Sequence, residues 1–271
     1  MSRGLAGVTY TSQFYRTYED ESLRSAKVVV PLVMELTAPK RVIDAGCGLG
    51  TWLGVFSENG VEEILGVDGD YVNRSLLHIP IERFLARDLS KPLDVPGGPY
   101  DLVLCMEVAE HLHQSRAVSF ISELASLGPV ILFSAAIPCQ GGDGHINEQW
   151  PGYWAELFAR SGFLAIDCIR PRIWENEQVA YYYAQNSVLY VNRDRLDDYP
   201  LLRREYENNP AFPRPLVHPR KWLEVNDPRR QPLRTLLRAL PYSLCNAAGL
   251  RLRKMFNKCY GEHAWKSDAP A

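Results

Sequence analysis

Short apolar runs alternate with amphipathic stretches over the first two thirds of the chain. Five of these runs predict β-strands: RVID (41–44), EEILGVD (62–68), IERFLA (81–86), YDLVLCM (100–106) and GPVILFS (128–134). Helical periodicity lies between them, in LGTWLGVFSENG, in the stretch from VAEHL to ELASL and in QWPGYWAELFARSG. Continuous apolar runs that alternate with helices are typical of parallel strands covered on both faces. The pattern therefore predicts a doubly wound α/β fold with a mostly parallel sheet.

The ends of this region predict further elements. Asp20 to Leu36 has helical spacing and stops before Pro39, which indicates an N-terminal helix. FLAIDCIR (163–170) and VAYYYAQNSVLYV (179–191) are expected to supply the last strands, as an antiparallel pair.

The C-terminal part differs in composition. From about Asp197 it is rich in proline and polar residues, which predicts an irregular connector. RTLLRALPYSLCNAAGLRLRKMFNKCY then predicts one or two basic amphipathic helices broken at Pro241. We expect three parts: an N-terminal flap or helix (1–37), a core (38–195), and a connector with a basic helical tail (196–271).

Composition restricts the class of protein. An apolar fraction of 46% with 23% charged residues is typical of a globular protein. The N-terminus lacks a basic start followed by an apolar run, and no segment approaches 18 apolar residues, so we expect neither a signal peptide nor a spanning helix. The six cysteines include no C-x-x-C pair, which favours reduced thiols in the cytoplasm over a disulfide framework or a zinc site.

Charge is distributed unevenly. From Arg214 onward, twelve Lys or Arg face four Asp or Glu, a balance of +8, so the net charge of −2 leaves −10 for residues 1–213. The acidic body argues against a nucleic-acid binder. The basic tail has two interpretations: it contacts an anionic membrane surface, or it packs on the acidic body or a second subunit.

A glycine-rich motif carries the first candidate chemistry. VIDAGCGLGTW places Asp44 two positions before Gly46, and Gly48 and Gly50 follow at the same spacing. A strand that turns into a helix over glycines makes a seat for a nucleotide-like ligand. The spacing D-x-G-x-G-x-G differs from the G-x-G-x-x-G fingerprint of NAD, and it favours S-adenosylmethionine, which has no phosphate.

Three further signals follow the next predicted strands. Asp68 closes the second strand and is suited to accept both ribose hydroxyls, and Asp88 of ARDLS follows the third strand, where it could meet the adenine. Glu107 and His111 of CMEVAEHL follow the fourth. Ligands of open α/β sheets bind at the carboxyl ends of the strands, so these signals agree with the glycine turn.

Together these residues make the chain resemble the class I S-adenosylmethionine-dependent methyltransferases over roughly residues 38–190. The resemblance implies a seven-stranded sheet and S-adenosylmethionine as cofactor. It also implies cofactor contacts at the neighbouring positions Cys47, Thr51, Trp52, Gly69 and Leu89. Tyr10 and Tyr15 precede this region, and we expect Tyr15 to close over the cofactor and Tyr10 to meet the acceptor, although both could simply anchor the N-terminus.

A narrower resemblance concerns FSAAIPCQGGDGHINEQWPGYWAELF (133–158), followed by RPRIW and YYYAQN. These segments are similar to small bacterial methyltransferases found with enzymes of polysaccharide and natural-product assembly. The similarity implies a small-molecule or sugar acceptor without naming it.

The polar, glycine-rich loop from Ala135 to Gln149 should hang over the cofactor, as a lid does. His145 is the first candidate for a general base, against a histidine that only bonds to backbone. Glu148 could orient His145, bind an acceptor hydroxyl or cap the helix that begins near Trp150. His111 either lines the acceptor cavity or packs behind Glu107.

The acceptor is expected to meet aromatic and basic side chains. Trp150, Tyr153 and Trp154 form an aromatic patch suited to a sugar ring or an aromatic acceptor, although ordinary helix packing covers at least one of them. Arg170 and its neighbour Arg172 could hold a phosphate or carboxylate, or could lie solvated at a strand end.

No residue spacing in the chain has the force of a metal-ligand motif. The carboxylates that a metal could recruit are Glu107, Glu110, Asp143 and Glu148. We therefore expect no metal.

These observations favour an enzyme that O-methylates a sugar or natural-product hydroxyl. Two alternatives stay open: methylation at nitrogen or carbon of a small metabolite, including an isoprenoid diphosphate, and a non-catalytic cofactor-binding scaffold.

Overall fold

The computed structural model describes residues 12–209, 213–231 and 233–247, without the side chains of 12–19, 230 and 245–247. The chain divides into two compact units, Met1–His218 and Pro219–Ala271. The first unit contains the sheet and all of the candidate site residues.

The described residues contain seven strands and nine α-helices. The strands are β1 (Arg41–Ala45), β2 (Glu63–Asp68), β3 (Phe84–Ala86), β4 (Leu102–Met106), β5 (Val130–Ser134), β6 (Phe163–Ile166) and β7 (Val188–Asn192). The helices are α1 (Ser12–Thr37), α2 (Thr51–Glu58), α3 (Ala117–Leu127), α4 (Pro151–Arg160), α5 (Arg170–Ile173), α6 (Tyr181–Asn186), α7 (Pro200–Asn208), α8 (Pro219–Asn226) and α9 (Leu233–Ala247). Short 3₁₀ turns lie at Arg74–Leu76, Ile81–Arg83, Ala109–His111, Gln114–Arg116, Arg193–Asp198 and Pro228–Arg230.

The strands form one sheet in the order β3-β2-β1-β4-β5-β7-β6. Only β7 runs against the others, because its pairings with β5 and β6 are antiparallel and all remaining pairs are parallel. This confirms the predicted doubly wound, mostly parallel seven-stranded fold. The order also places the carboxyl ends of β1, β2 and β4 side by side.

Successive residues of the central strands enter two different cores. Val42 of β1 packs into the core covered by α1 and α2, whereas its neighbour Ile43 packs into the core covered by α3 and α4. Leu104 and Cys105 of β4 divide in the same way. Since side chains alternate across a strand, a sheet covered on both faces needs apolar residues at every position. This explains the uninterrupted apolar runs.

The segment 179–191 corrects one prediction. Only its second half is a strand, and the first half forms α6. The tyrosines of α6 reach back to α1, where Tyr182 Oη lies 3.0 Å from Glu21 Oε2 and Tyr183 Oη lies 3.0 Å from Ser22 Oγ. These side-chain contacts with α1 hold the segment as a helix.

The predicted irregular connector is also corrected, because it contains α7. Leu202 of this helix is fully buried in the core that α1 covers. The first unit therefore extends to His218, beyond the expected boundary near residue 196.

Within the second unit, α9 continues through Pro241 instead of breaking there. Leu233, Leu237, Leu240 and Leu244 follow helical spacing along it and are all exposed. Among the helices that the structure describes, none is both long and apolar enough to cross a membrane. The two interpretations of the basic tail, a membrane surface or a protein surface, stay predictions.

Candidate active site

The glycine turn after β1 combines one closely packed position with one open position. At Gly46, where φ is +97°, an added Cβ would lie 2.3 Å from Cγ2 of Val108. At Gly48, φ is +54° and nothing lies within 4 Å of the place where a Cβ would stand. Glycine tolerates both conformations, and the space over Gly48 is open to a ligand that approaches the backbone.

The carboxylate of Asp68 closes the turn from the neighbouring strand. Its Oδ2 accepts a hydrogen bond from the backbone N–H of Gly48 at 2.7 Å, and its Oδ1 accepts bonds from the Gly69 N–H at 2.6 Å and the Tyr71 hydroxyl at 2.5 Å. A carboxylate has about four acceptor positions. Because the Gly48 N–H, the Gly69 N–H and the Tyr71 hydroxyl use three of the four, two ribose hydroxyls cannot both bind Asp68 unless the tyrosine hydroxyl moves.

Asp44 lies buried beside this carboxylate. Its Oδ1 has no hydrogen-bond partner among the residues that the structure describes. Burial, assisted by the charge of Asp68, raises the pKa of Asp44 to about 7. A ligand group that donates a hydrogen bond at this position would satisfy Oδ1 and favour the ionised form.

The remaining cofactor predictions fall at different depths. Cys47 and Thr51 are buried under the turn, and Leu89 is fully buried. Trp52 packs edge-on against Tyr183 inside the core, at a centroid distance of 5.1 Å. The ring is thus buried among core residues, and its predicted contact with the cofactor stays a prediction.

Asp88, by contrast, is exposed beyond β3. Its Oδ1 accepts hydrogen bonds from the backbone N–H and the hydroxyl of Ser90, at 3.0 and 2.6 Å. These bonds fix the turn and lower the pKa of the carboxyl group. Asp88 is therefore an ionised acceptor at the end of β3.

Glu107 follows β4 with φ at +55°, a conformation that side-chain-bearing residues rarely adopt. Its carboxylate accepts hydrogen bonds from Gln140 Nε2 at 3.1 Å and from Asn186 Nδ2 at 3.0 Å. Gln185 completes the network by donating to Gln140 Oε1 at 2.9 Å. Two segments distant in the sequence, one with Gln140 and one with Gln185 and Asn186, thus hold this carboxylate at the edge of the sheet.

Glu110 lies three residues further on and is 0% exposed. Neither carboxyl oxygen has a hydrogen-bond partner within the described part of the chain. Burial, together with the charge of Glu107, raises the pKa of Glu110 well above its usual range. A polar group buried in this way carries a desolvation cost that a hydrogen bond or an ion would offset.

The loop after β5 brings His145 close to Glu110. Its Nδ1 lies 3.0 Å from Oε1 of Glu148. The Glu148 carboxylate also accepts hydrogen bonds from the backbone N–H groups of Cys139 and Gly141, at 2.8 and 2.7 Å. The structure therefore favours the orienting role of Glu148 over helix capping, because no side chain caps α4.

His111 stands against the ring of His145. The two rings meet edge to face with centroids 4.9 Å apart. Burial, and secondarily the charge of His145, lowers the pKa of His111 to about 4. His111 is therefore neutral near pH 7.

Backbone contacts hold the loop in place. The N–H groups of Ile146 and Asn147 both donate to the carbonyl oxygen of Glu110, at 2.9 and 3.0 Å, and the N–H of Gln149 donates to Ala136 at 3.1 Å. The position of His145 relative to Glu110 is thus fixed by main-chain hydrogen bonds.

Comparison with known families gives this arrangement a context. Residues 15–164, more than half of the chain, match the family model described as "Methyltransferase domain". The chain belongs to this methyltransferase family. The match confirms the predicted cofactor, S-adenosylmethionine. The residues at the glycine turn fit that molecule, since Gly48 is open and Asp44 offers an unpartnered oxygen.

Individual relatives are distant. A ubiquinone biosynthesis O-methyltransferase of Methylococcus capsulatus is 27% identical over 130 residues, which are 42% of this chain and 54% of that protein. An O-methyltransferase family protein from Burkholderia thailandensis has a TM-score of 0.48 at 17% identity, covering 68% of this chain and 60% of its own. Magnesium protoporphyrin IX methyltransferase of Synechocystis PCC 6803 has a TM-score of 0.46 at 20% identity. The match covers 70% of this chain and 88% of that protein. The chain spans about half the length of the Methylococcus capsulatus protein.

The predicted aromatic patch is corrected in part. Trp150 is 41% exposed and Tyr153 is half-buried, so both are accessible. Trp154 is 2% exposed and packs on Phe133 at a centroid distance of 5.3 Å, which makes it a core residue. Tyr10 and the side chain of Tyr15 lie outside the described residues, and their roles stay predictions.

Arg170 is also corrected. It is 1% exposed, and its guanidinium donates to Asp167 Oδ1 at 2.8 Å, to the carbonyl of Gln185 at 3.2 Å and to that of Arg214 at 3.0 Å. Arg172 pairs with Glu205 at 2.8 Å. Both arginines line a cleft of about 620 Å³ that also contains Asp167 and Glu175. A phosphate would meet paired arginines and two carboxylates there.

Several residues of the site were missed from the sequence. Gln140 and Asn186 bind Glu107, Gln185 binds Gln140, and Tyr71 binds Asp68. The only available signal was two adjacent amides, in YYYAQN, immediately before an apolar strand. Buried amides are costly unless hydrogen-bonded, so such a pair indicates a polar network.

Proposed function

We propose that the protein transfers a methyl group from S-adenosylmethionine to a hydroxyl oxygen of a small molecule. The observation that carries this proposal is the His145–Glu148 pair beside the carboxyl end of β4, on the same sheet edge as the open glycine turn. A proton acceptor next to a methyl-donor site is what O-methylation needs, because a hydroxyl must lose its proton as its oxygen is methylated.

Bound S-adenosylmethionine supplies the methyl group: the acceptor oxygen bonds to the methyl carbon while the carbon–sulfur bond breaks and sulfur keeps the electron pair. The protein's own part is to position the acceptor and to remove the proton. His145 takes that proton, and the carboxylate of Glu148 orients the ring and stabilises the imidazolium. His111 lies against the same ring and excludes water from one side.

A sugar or another natural product is the proposed acceptor class. Trp150 and Tyr153 offer accessible aromatic surface beside the loop, and such surface suits the apolar face of a sugar or an aromatic ring. The relative from Methylococcus capsulatus is named for O-methylation in ubiquinone biosynthesis, which agrees with an oxygen acceptor.

The test is product analysis with S-adenosylmethionine that carries a deuterated methyl group. The full chain is incubated with panels of sugars, glycosides and phenols, and mass spectrometry locates the label. A label on oxygen is expected, and His145→Ala should lower kcat by roughly 10²–10⁴. The matched control is His113→Ala, since His113 is an exposed histidine two residues from His111.

Other products would overturn the proposal. A label on nitrogen or carbon would assign the alternative chemistry. Tight binding of S-adenosylhomocysteine, without methyl transfer to any acceptor of these classes, would favour the cofactor-binding scaffold. Arg170 argues against a diphosphate acceptor, because its guanidinium is buried and already engaged in hydrogen bonds.

A further inference from the structure

Three potential metal ligands converge where the loop after β5 meets the end of β4. Glu110, His111 and His145 each offer one ligand atom, and these atoms all lie within 4.8 Å of one another. Glu110 and His111 are sequence neighbours in a 3₁₀ turn, whereas His145 arrives from a loop 34 residues further on.

We propose that Glu110, His111 and His145 bind one divalent first-row transition-metal ion, such as Mn²⁺ or Zn²⁺. Two imidazole nitrogens with one carboxylate oxygen are a donor set for such ions, whereas Mg²⁺ and Ca²⁺ prefer sites made of oxygen alone. Ligand atoms on one ion, at bonds of about 2.1 Å, lie about 3–3.5 Å apart. Closure of the cluster by about an ångström would reach that geometry.

The groups behind the ligands support this assignment. Glu148 bonds to one ring nitrogen of His145, and the backbone of Gly144 bonds to the ring of His111. Histidines that bind metals usually donate their second ring N–H to a carboxylate or a backbone carbonyl, which orients the ring. Both histidines of the cluster therefore have the support that a ligand needs.

The carboxyl group of Glu110 is the independent observation. It is 0% exposed, and within the described residues neither of its oxygens has a hydrogen-bond partner. The backbone of Glu110 is meanwhile bound through its carbonyl to Ile146 and Asn147, so the residue is held firmly beside the loop. A cation between the carboxylate and the two rings would offset the desolvation cost of burying this group.

A bound ion would change the role of His145, and this consequence rests on the proposed function. A ring nitrogen bonded to a metal has no lone pair for a proton. In the metal-free protein His145 takes the acceptor's proton, as proposed above; with an ion bound, the ion would hold the acceptor oxygen and lower the pKa of its hydroxyl, and water would take the proton. The proposal reverses our expectation from the sequence, which considered only carboxylates as ligands.

Metal binding is tested without any acceptor. The full chain is first freed of metal with a chelator. It is then titrated with Mn²⁺, and the free ion is measured by its electron paramagnetic resonance signal. A separate titration with Zn²⁺ is read in competition with a chromophoric chelator. One equivalent should bind, and Mg²⁺ should bind at least tenfold more weakly. Glu110→Gln, His111→Ala and His145→Ala should each weaken binding by roughly tenfold or more, and Glu148→Gln by roughly 10–100-fold.

His113→Ala is the control, and it should bind the ion as the wild type does. Each variant is also titrated with S-adenosylhomocysteine, which shows whether it is folded and separates a lost metal site from a lost cofactor site. The proposal is overturned if the wild type binds neither ion stoichiometrically, or if Glu110→Gln and both histidine variants bind as tightly as the wild type. Methyl transfer to oxygen by the metal-free enzyme would support the proposed function and would show that the reaction does not require the ion.

Discussion

The two halves of the site are built in different ways. The cofactor half, from Asp44 to Gly50 with Asp68, is shaped by main chain: glycines with positive φ and backbone N–H groups bound to one carboxylate. The other half lies around His145, which we propose for the acceptor, and Glu107, which the sequence predicts as a cofactor contact. For short we call it the acceptor half, and it is shaped by side chains that hold one another. A single substitution at Asp68 therefore disturbs most of the first half, whereas the second half is held by side chains from several distant segments.

The difference has a physical cause. A cofactor common to many enzymes needs a fixed backbone cradle, and a short strand–turn–helix segment provides one. An acceptor site must differ between enzymes, and variation is easiest in side chains carried on loops. The two halves should therefore respond separately to mutation.

The largest separation is expected at Asp68. Asp68→Ala removes the acceptor of the Gly48 and Gly69 N–H groups and the predicted acceptor of the ribose hydroxyls. We expect this to cost on the order of 2–4 kcal/mol in binding of S-adenosylhomocysteine. Calorimetry on folded protein measures it. Asp70→Ala, at an exposed aspartate two residues away, is the control. Unchanged affinity in Asp68→Ala would contradict the assignment of this carboxylate to the cofactor.

Asp44 gives the second prediction, through pH. Its buried carboxyl has a raised pKa of about 7, so the folded protein holds a proton that the unfolded chain releases near pH 4. Stability from this group is therefore lost as pH rises from about 4 to about 7. Relative to the wild type, Asp44→Asn should gain about 3 kcal/mol in free energy of unfolding between pH 5 and pH 8.

Urea unfolding without cofactor measures this difference. The exposed Asp94→Asn is the control, and its difference from the wild type should not vary with pH in this way. A constant offset between Asp44→Asn and the wild type over the same range would show that the carboxyl is not perturbed.

How much of the molecule the sequence predicts follows the same division. Strands β1, β2, β4 and β5 were predicted because burial on both faces leaves a continuous apolar run. The glycine turn and Asp68 were predicted because their chemistry lies within one or two short segments. The fold and the cofactor half are thus mostly encoded locally.

The acceptor half is not encoded in this way. Glu107 is held by Gln140 and Asn186, which lie 33 and 79 residues away, and no local pattern pairs them. The sequence predicts a strand over the α6 segment because Tyr and Val are common in strands, whereas contacts with α1 decide its conformation. Arg170 is predicted to bind a phosphate or carboxylate of the acceptor, or to lie solvated at a strand end, whereas three hydrogen-bond acceptors engage it in the interior.

Gly142 provides the third prediction, in the acceptor half. An added Cβ would lie 2.3 Å from Nε2 of His145, and φ at this position is +154°. Gly142→Ala should displace the ring at a cost of about 1–3 kcal/mol, and methyl transfer should fall while the affinity for S-adenosylhomocysteine stays within about twofold.

The matched control for this change is Gly141→Ala. Gly141 also has a positive φ, +68°, but nothing lies within 4 Å of its Cβ position. The control therefore carries left-handed backbone strain, milder than the strain at +154°, without the clash. Equal losses in the two variants would attribute the effect to strain in the loop and not to His145.

Tyr71 gives the smallest expected effect and the finest test of the cofactor half. Its hydroxyl donates to Asp68 Oδ1 at 2.5 Å, at a position where a ribose hydroxyl would otherwise bind. Tyr71→Phe removes this competing donor, so S-adenosylhomocysteine should bind more tightly by about 0.5–1.5 kcal/mol in calorimetry. An analogue without the ribose hydroxyls should bind both proteins equally, because it does not displace the tyrosine. Weaker binding of S-adenosylhomocysteine to Tyr71→Phe would instead mean that Tyr71 keeps its bond to Asp68 and supports the bound cofactor.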